Sequence, residues 1–344
     1  MNVRPLANTD VIGGAVRGRQ QESPTVAGHR DAVQRPLFIL APPRSFTSVV
    51  CAMLGQHPQM YGLPELHLFA AETVRDRTRL AEQKDFNIHH GLLRVIAQLY
   101  FGEQSEVTVR AACGWLRRRL HSTTGLLFED LAQEVAPRVL VEKSPSNVSH
   151  IESLHRIGAM FPQARFIHLV RHPMSYGDSI VKYLKRRAER YPAGAGTARS
   201  PDTCATRSKT SPGTPKVDPQ ISWFKLHTNI CRFLETVEGS RQMRVRGEEL
   251  LADPDRFLRQ IADWMELRTD PAAIEAMKHP ERSPYACFGP LGARGGNDPF
   301  FLEDPVLRPE KAMPLSLDGL PGWCRRPHGF LPKVKRLAKR FGYR

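Results

Sequence analysis

Four short apolar runs stand out along the chain, each closed by a polar turn. Pro36-Leu37-Phe38-Ile39-Leu40-Ala41 runs into Pro42-Pro43, and Val139-Leu140-Val141, Phe166-Ile167-His168-Leu169-Val170 and the weaker Met243-Arg244-Val245 repeat the pattern. Runs that are continuous rather than alternating suit strands covered on both faces of a parallel sheet. Between them, apolar residues recur at helical spacing over 46–56, 148–160, 174–186, 221–237 and 254–265. Ser146-Asn147 and Asp253 stand where N-caps belong, and Pro173 and Pro254 suit a helix's first turn. Residues 66–135 read as mostly helical with no clear strand, which predicts a helical cap. The alternation of strands and helices predicts an α/β fold, a doubly wound, mainly parallel sheet flanked by helices.

Two stretches break the pattern. Residues 1–35 are rich in Gly, Arg, Gln and Thr with little periodic apolar content and read as a flexible leader. Residues 187–219 hold five prolines and a single Val among the large aliphatics, and read as a flexible insertion. The body then runs over 36–324, and residues 325–344 form a separate basic end. There Leu331, Val334, Leu337 and Phe341 recur at helical spacing among Lys333, Lys335, Arg336, Lys339 and Arg340. Such a basic amphipathic helix either docks its apolar stripe on the sheet, the reading the sequence favours, or touches a membrane surface.

Composition changes less than it first suggests. With 344 residues, 41% hydrophobic and 25% charged, the chain can bury the core of one large domain or two modest ones. It contains no run of 18 or more apolar residues for a bilayer span. The net charge of +15 points on its face to a nucleic acid or an anionic membrane. Yet residues 1–36, 187–219 and 325–344 carry net charges of +2, +3 and +8, which is 13 of the 15. The body is nearly neutral, so nucleic acid is not the expected partner. The six cysteines form no C-x-x-C pair and the first residues lack a secretory apolar stretch, which together favour free thiols and a cytoplasmic location.

The candidate chemistry sits just past the apolar runs. The first leads into Pro42-Pro43-Arg44-Ser45-Phe46-Thr47-Ser48 and then a helix. A strand, a hydroxyl-rich turn and a helix N-terminus make an anion cradle, with unpaired N–H groups, Ser45, Thr47 and Ser48 as donors and Arg44 as charge. The Walker A pattern G-x-x-x-x-G-K-[ST] is absent, which weakens an ATPase or GTPase reading. Glu142-Lys143-Ser144-Pro145-Ser146-Asn147 follows the second run, and Arg171-His172-Pro173, with Ser179 eight residues after Arg171, follows the third. In open α/β sheets ligands bind at the carboxyl ends of strands.

Taken together, these loops resemble the sulfotransferase family that uses 3′-phosphoadenosine 5′-phosphosulfate (PAPS). Pro43-Arg44-Ser45-Phe46-Thr47-Ser48 is similar to its P-R-S-G-T-[ST] loop, Arg171 and Ser179 to its R-x7-S pair, and Arg246-Gly247-Glu248-Glu249-Leu250-Leu251-Ala252-Asp253-Pro254 to its R-Y-E-D-L-x-x-D-P segment. The likeness covers roughly residues 36–265. Asn297-Asp298-Pro299-Phe300-Phe301 and Phe341-Gly342-Tyr343 resemble segments of bacterial members that act on natural products. The sequence departs at Phe46, where the family usually has Gly, and at Gly247, where it usually has Tyr.

The resemblance implies a P-loop-NTPase-like fold, PAPS as donor, 3′,5′-adenosine bisphosphate as product, a small-molecule acceptor and no metal. It implies that Arg44, Ser45, Phe46, Thr47 and Ser48 hold the 5′-phosphosulfate and that Arg171 and Ser179 hold the 3′-phosphate; Lys143, just past the second run, is expected to add charge to the same crevice beside Arg44. In protein-tyrosine and related sulfotransferases a catalytic glutamate follows the loop arginine by twenty-one positions, which carries the base role onto Glu65. His67 is the rival, since histidine's ordinary pKa of about 6.5 suits a base. Two other readings compete with this one: a small-molecule kinase on the same cradle, and a non-catalytic nucleic-acid or membrane-surface protein on a degenerate enzyme fold.

Overall fold

The computed structural model describes residues 33, 35–84, 88–190, 218–308, 316–324 and 329–344. The expected leader, apart from residues 33 and 35, lies outside the described residues, as do residues 191–217 of the expected insertion and 325–328 of the basic end.

Apolar runs of four to six residues become strands because each is buried on both faces. The chain begins with β1 (Leu37–Leu40), crosses through α1 (Thr47–Leu54) to a short β2 (Met60–Gly62), and then winds through α2 (Val74–Lys84), α3 (Ile88–Phe101), α4 (Glu106–Arg117) and α5 (Thr124–Val135). It returns in β3 (Val139–Glu142), followed by α6 (Ser146–Ser149), α7 (Ile151–Met160), β4 (Arg165–Val170) and α8 (Pro173–Arg190). Beyond the undescribed stretch come α9 (Pro219–Leu234), β5 (Gln242–Arg246), α10 (Gly247–Ala252), α11 (Pro254–Trp264), α12 (Pro271–Met277), α13 (Pro299–Glu303) and α14 (Pro332–Arg340).

The five strands form one sheet in the order β2-β3-β1-β4-β5, and every neighbouring pair is parallel. Leu37 lies opposite Val141 on one side of β1, and Phe38 opposite Phe166 on the other. Because all strands run the same way, their following loops gather along one edge, and strand order reverses beside β1. That crevice is where the Arg44, Lys143 and Arg171 loops meet.

Alternate residues of each strand feed two cores. Phe38, Leu40 and Phe166 point into one core with Phe69, Phe128 and Phe161, and the Phe38 ring centroid lies 5.6 Å from those of Phe69 and Phe128. Leu37, Ile39 and Ile167 point into the other, against α1, α11 and α12. The helices of 66–135 contribute Leu92, Ile96, Val109, Trp115 and Leu131 to the first core, so their apolar faces are spent on the sheet side. The helix expected over 148–160 is divided at His150, whose backbone is extended (φ −132°, ψ 137°).

α14 buries Val334, Leu337, Ala338 and the following Phe341 against Val170, Tyr176 and Trp223, while Lys333, Arg336, Lys339 and Arg340 face solvent. Among the described residues no helix is long and apolar enough to cross a membrane.

Candidate active site

The loop after β1 is held in a conformation that ordinary side chains avoid. Arg44 (φ 67°) and Phe46 (φ 64°) both occupy the left-handed region, at about 1–2 kcal/mol each for a residue with a Cβ. Phe46 is also the N-cap of α1 and supplies no side-chain acceptor, whereas Ser105, Thr123 and Asp218 cap α4, α5 and α9. The first amides of α1 therefore remain available to an external acceptor. Ser45 is fully buried and its hydroxyl has no partner. A buried orphan hydroxyl is costly unless a ligand completes it.

The departures at 46 and 247 are two halves of one accommodation. A Cβ placed on Gly247 would lie 2.4 Å from Cδ2 of Phe46. The phenyl ring thus fills the space beside residue 247, and the Arg171 guanidinium lies over it, 4.1 Å from the ring centroid.

Arg44 reaches across to α8 and to the segment before α13. Its Nε donates to Ser179 Oγ at 3.2 Å, and its guanidinium pairs with Asp298. Phe300 and Tyr183 flank it, with ring centroids at 4.6 and 5.5 Å. Asp298 also accepts from the Phe300 amide at 2.9 Å, which fixes the start of α13. A carboxylate thus rests on Arg44 where the loop arginine of an anion cradle meets its ligand.

The loops after β2 and β3 bring Glu65, His67 and Lys143 together. Lys143 Nζ, whose side chain is 0% exposed, donates to Glu65 Oε1 at 2.7 Å and to Ser48 Oγ at 2.8 Å. His67 Nε2 lies 3.5 Å from Glu65 Oε2, and its Nδ1 is 3.0 Å from Ser146 Oγ. Burial by itself raises the Glu65 pKa, but the Lys143 ammonium and His67 outweigh it and hold the carboxyl well below its usual range. Glu65 is therefore an ionised carboxylate, shared between a fixed cation and a histidine.

The backbone around Glu65 is packed without slack. Its amide donates to Gly296 O at 2.7 Å, and a Cβ on Gly91 would lie 2.0 Å from Glu65 O. Gly296 (φ 96°) needs glycine both for that φ and for its approach to Gly91. From the other side Arg77, fully buried, donates to Leu66 O at 2.7 Å. Glu142, at the end of β3, accepts from the Ser144 amide at 3.0 Å and from Asn147 Nδ2 at 2.5 Å, and Ser144 Oγ accepts the His67 amide at 2.8 Å. Burial pushes the Glu142 carboxyl up, against the pull of these donors.

Arg171 leaves the carboxyl end of β4. Its Nη1 donates to Arg44 O at 2.6 Å and its Nε to Ser175 Oγ at 3.1 Å. Its carbonyl accepts from Trp223 Nε1 at 2.9 Å. Ser179, singled out by its spacing from Arg171, lies one turn further along α8 and is bonded to Arg44 instead.

Every site residue read from the sequence lies at this one edge of the sheet. The loop 44–48, Glu65, His67 and Lys143 form one connected group through Ser48 and Lys143, and Arg171 joins it through Arg44 O. Sequence reading did not single out Asp298 on Arg44, Ser175 beside Arg171, or Glu248, which accepts from the His172 amide at 2.8 Å. Asp298-Pro299 is a helix-start signal, and Glu248 lies in the quoted R-Y-E-D-L-like segment, so both were visible without a role attached.

A parallel α/β sheet thus gathers three basic loops, a helix N-terminus and an ionised carboxylate at its carboxyl edge. The sulfotransferase family model matches residues 36–271, and the chain belongs to that family. The fold is similar to a solved sulfotransferase domain from the curacin biosynthetic pathway, at 24% identity and a TM-score of 0.68, covering 90% of this chain and 98% of that one. It is likewise similar to the sulfotransferase domain of the Synechococcus PCC 7002 olefin synthase, at 25% identity and a TM-score of 0.66, covering 90% and 95%. No curated protein matches.

Proposed function

We propose that this sulfotransferase moves a sulfuryl group from PAPS to a hydroxyl, or an amine, of a small-molecule acceptor. One observation carries the reading: the buried, partnerless Ser45 hydroxyl at the uncapped start of α1, ringed by the loops of Arg44, Lys143 and Arg171. That set of donors fits the doubly charged phosphosulfate end of the donor.

In this reading Ser45, Thr47, Ser48 and the amides of residues 45–48 hold the 5′-phosphosulfate, and Arg44 turns from Asp298 to it. Arg171 holds the 3′-phosphate with Ser179 one turn away on α8, and Ser175 orients the guanidinium. The donor supplies an S–O bond that breaks toward phosphate while the acceptor oxygen bonds to sulfur, leaving 3′,5′-adenosine bisphosphate. Lys143 and Arg44 face the charge that grows on the leaving phosphate. Glu65 takes the acceptor's proton. Because Lys143 makes Glu65 a weak base, that proton moves late, as the bond to sulfur acidifies the acceptor hydroxyl. His67 sits on the second Glu65 oxygen and orients it. The likeness to an olefin-synthase domain favours an acceptor produced by a biosynthetic enzyme, the neutral body speaks against nucleic acid, and the cysteine pattern favours a cytoplasmic setting.

Thermal unfolding with added nucleotide tests the donor assignment. A ligand at a hundred times its Kd stabilises the folded state by about 2.7 kcal/mol. 3′,5′-Adenosine bisphosphate should raise the melting temperature well beyond ADP or ATP at equal concentration. Equal shifts with ADP would remove the 3′-phosphate assignment, and a larger shift with ATP would favour a kinase.

A further inference from the structure

The end of the chain returns to the Arg171 loop. α14 is seated by Val334, Leu337, Ala338 and Phe341, and Gly342 (φ 89°) then turns the backbone so that Tyr343 faces the sheet edge. Two bonds pin this turn: Arg246 Nη1 donates to Gly342 O at 2.9 Å, and the Leu317 amide donates to Arg344 O at 2.7 Å. The Tyr343 ring meets His172 edge to face, with centroids 5.0 Å apart.

From there a hydrogen-bonded path leads to Arg171. The Tyr343 hydroxyl donates to Glu248 Oε2 at 2.9 Å. Glu248 Oε1 accepts the His172 amide at 2.8 Å and shares the Ser175 hydroxyl, at 3.2 Å, with His172 O, also at 3.2 Å. Ser175 Oγ in turn accepts from Arg171 Nε at 3.1 Å. Burial and the adjacent Glu248 carboxylate push the Tyr343 phenol far up, so it stays protonated and remains a donor. Without that donor Oε2 loses its partner, and the carboxylate is free to swing away from His172 and Ser175.

We propose that Tyr343 is a positioning residue for nucleotide recognition, setting the direction of the Arg171 guanidinium through Glu248 and Ser175. The inference rests on the reading of Arg171 as the 3′-phosphate ligand. It gives the tail a task at the site that its basic outer face does not perform.

The test is calorimetric titration of the full chain with 3′,5′-adenosine bisphosphate and, separately, with 5′-AMP. Wild type is expected to prefer the bisphosphate, and Tyr343→Phe to cut that preference about tenfold, the scale of one hydrogen bond to a charged group. Its AMP affinity should stay at the wild-type level. Ser175→Ala interrupts the same path without touching the tail and should show the same selective loss; if Tyr343→Phe does not fold, Glu248→Ala, which removes the Tyr343 acceptor and leaves Ser175 on Arg171, should show it too, and a Glu248→Ala that keeps the preference overturns the role. Glu248→Gln, which can still accept from His172 and Ser175 through its amide oxygen, should keep more of the preference than Glu248→Ala. If wild type prefers the bisphosphate and Tyr343→Phe retains that preference, the positioning role of Tyr343 is overturned while the donor reading stands. A parallel loss of both nucleotides in Tyr343→Phe would mark a structural role only and also overturn it. A wild type without preference would remove the donor reading, and this inference with it.

Discussion

Residues 46 and 247 should behave as one unit. In Gly247→Ala the new methyl would stand 2.4 Å from Cδ2 of Phe46, where carbon atoms ordinarily keep about 3.5–4.0 Å. The ring has to retreat by about 1 Å, which disturbs its contact with the Arg171 guanidinium, 4.1 Å from its centroid. Overpacking of this kind costs about 1–3 kcal/mol, of which the better helix propensity of alanine returns up to about 1 kcal/mol. Phe46→Gly removes about 1–2 kcal/mol of left-handed strain but also the ring's packing and a cation–π contact of about 0.5–1 kcal/mol, so alone it should change stability little. In the double variant the methyl enters the space the ring vacated. Urea unfolding of the four proteins should therefore show Gly247→Ala destabilised by up to about 3 kcal/mol and a favourable coupling of about 1–3 kcal/mol in the double variant. Effects that add to within about 0.5 kcal/mol would refute the idea that Phe46 occupies the place of a side chain at 247.

Three further outcomes follow from the same geometry. Lys143→Met leaves the Glu65 carboxylate without its buried cation and should cost about 3–5 kcal/mol; the double variant Lys143→Met/Glu65→Gln should recover much of the stability but none of the transfer, which unfolding and turnover measured side by side will show. With Glu65 held ionised by Lys143, the rate on the acid side should stay flat down to about pH 5, since an ordinary carboxyl already titrates near 4.3; a rate that falls on acidification above pH 5 in wild type and not in His67→Asn would hand the base role to His67. Burial holds His89 and His227 at about 3 and His172 at about 4. The unfolded chain therefore binds more protons below pH 6.5, and stability present above that pH is lost on acidification, by up to about 1.4 kcal/mol per pH unit per histidine; an unchanged urea midpoint between pH 7 and pH 5 would contradict it.

How much of this was legible in the sequence depends on what each feature answers to. β1, β3, β4 and β5 were readable because a strand buried on both faces must be apolar throughout, and such runs are rare in this chain. β2 was not: Met60-Tyr61-Gly62 is three residues at the sheet's edge, and only its pairing with Val139 to Val141 makes it a strand. The site loops were found because each follows a readable strand. Which of their side chains touch is a property of strand order. Lys143 reaches both Ser48 and Glu65 only because β3 lies between β1 and β2. Asp298 is farther still from sequence reading, since it reaches Arg44 from a segment outside the sheet. Phe46 and Gly247, read singly, were two departures from a motif, and only their contact shows that one accommodates the other.

The measurement closest to the central claim is a crystal structure with 3′,5′-adenosine bisphosphate bound. The 5′-phosphate is expected against the amides and hydroxyls of Ser45, Thr47 and Ser48, with Arg44 released from Asp298 and Lys143 still on Glu65. The 3′-phosphate is expected on Arg171. A nucleotide whose 3′-phosphate lies away from Arg171, or whose 5′-phosphate leaves Ser45 unpartnered, would contradict the account.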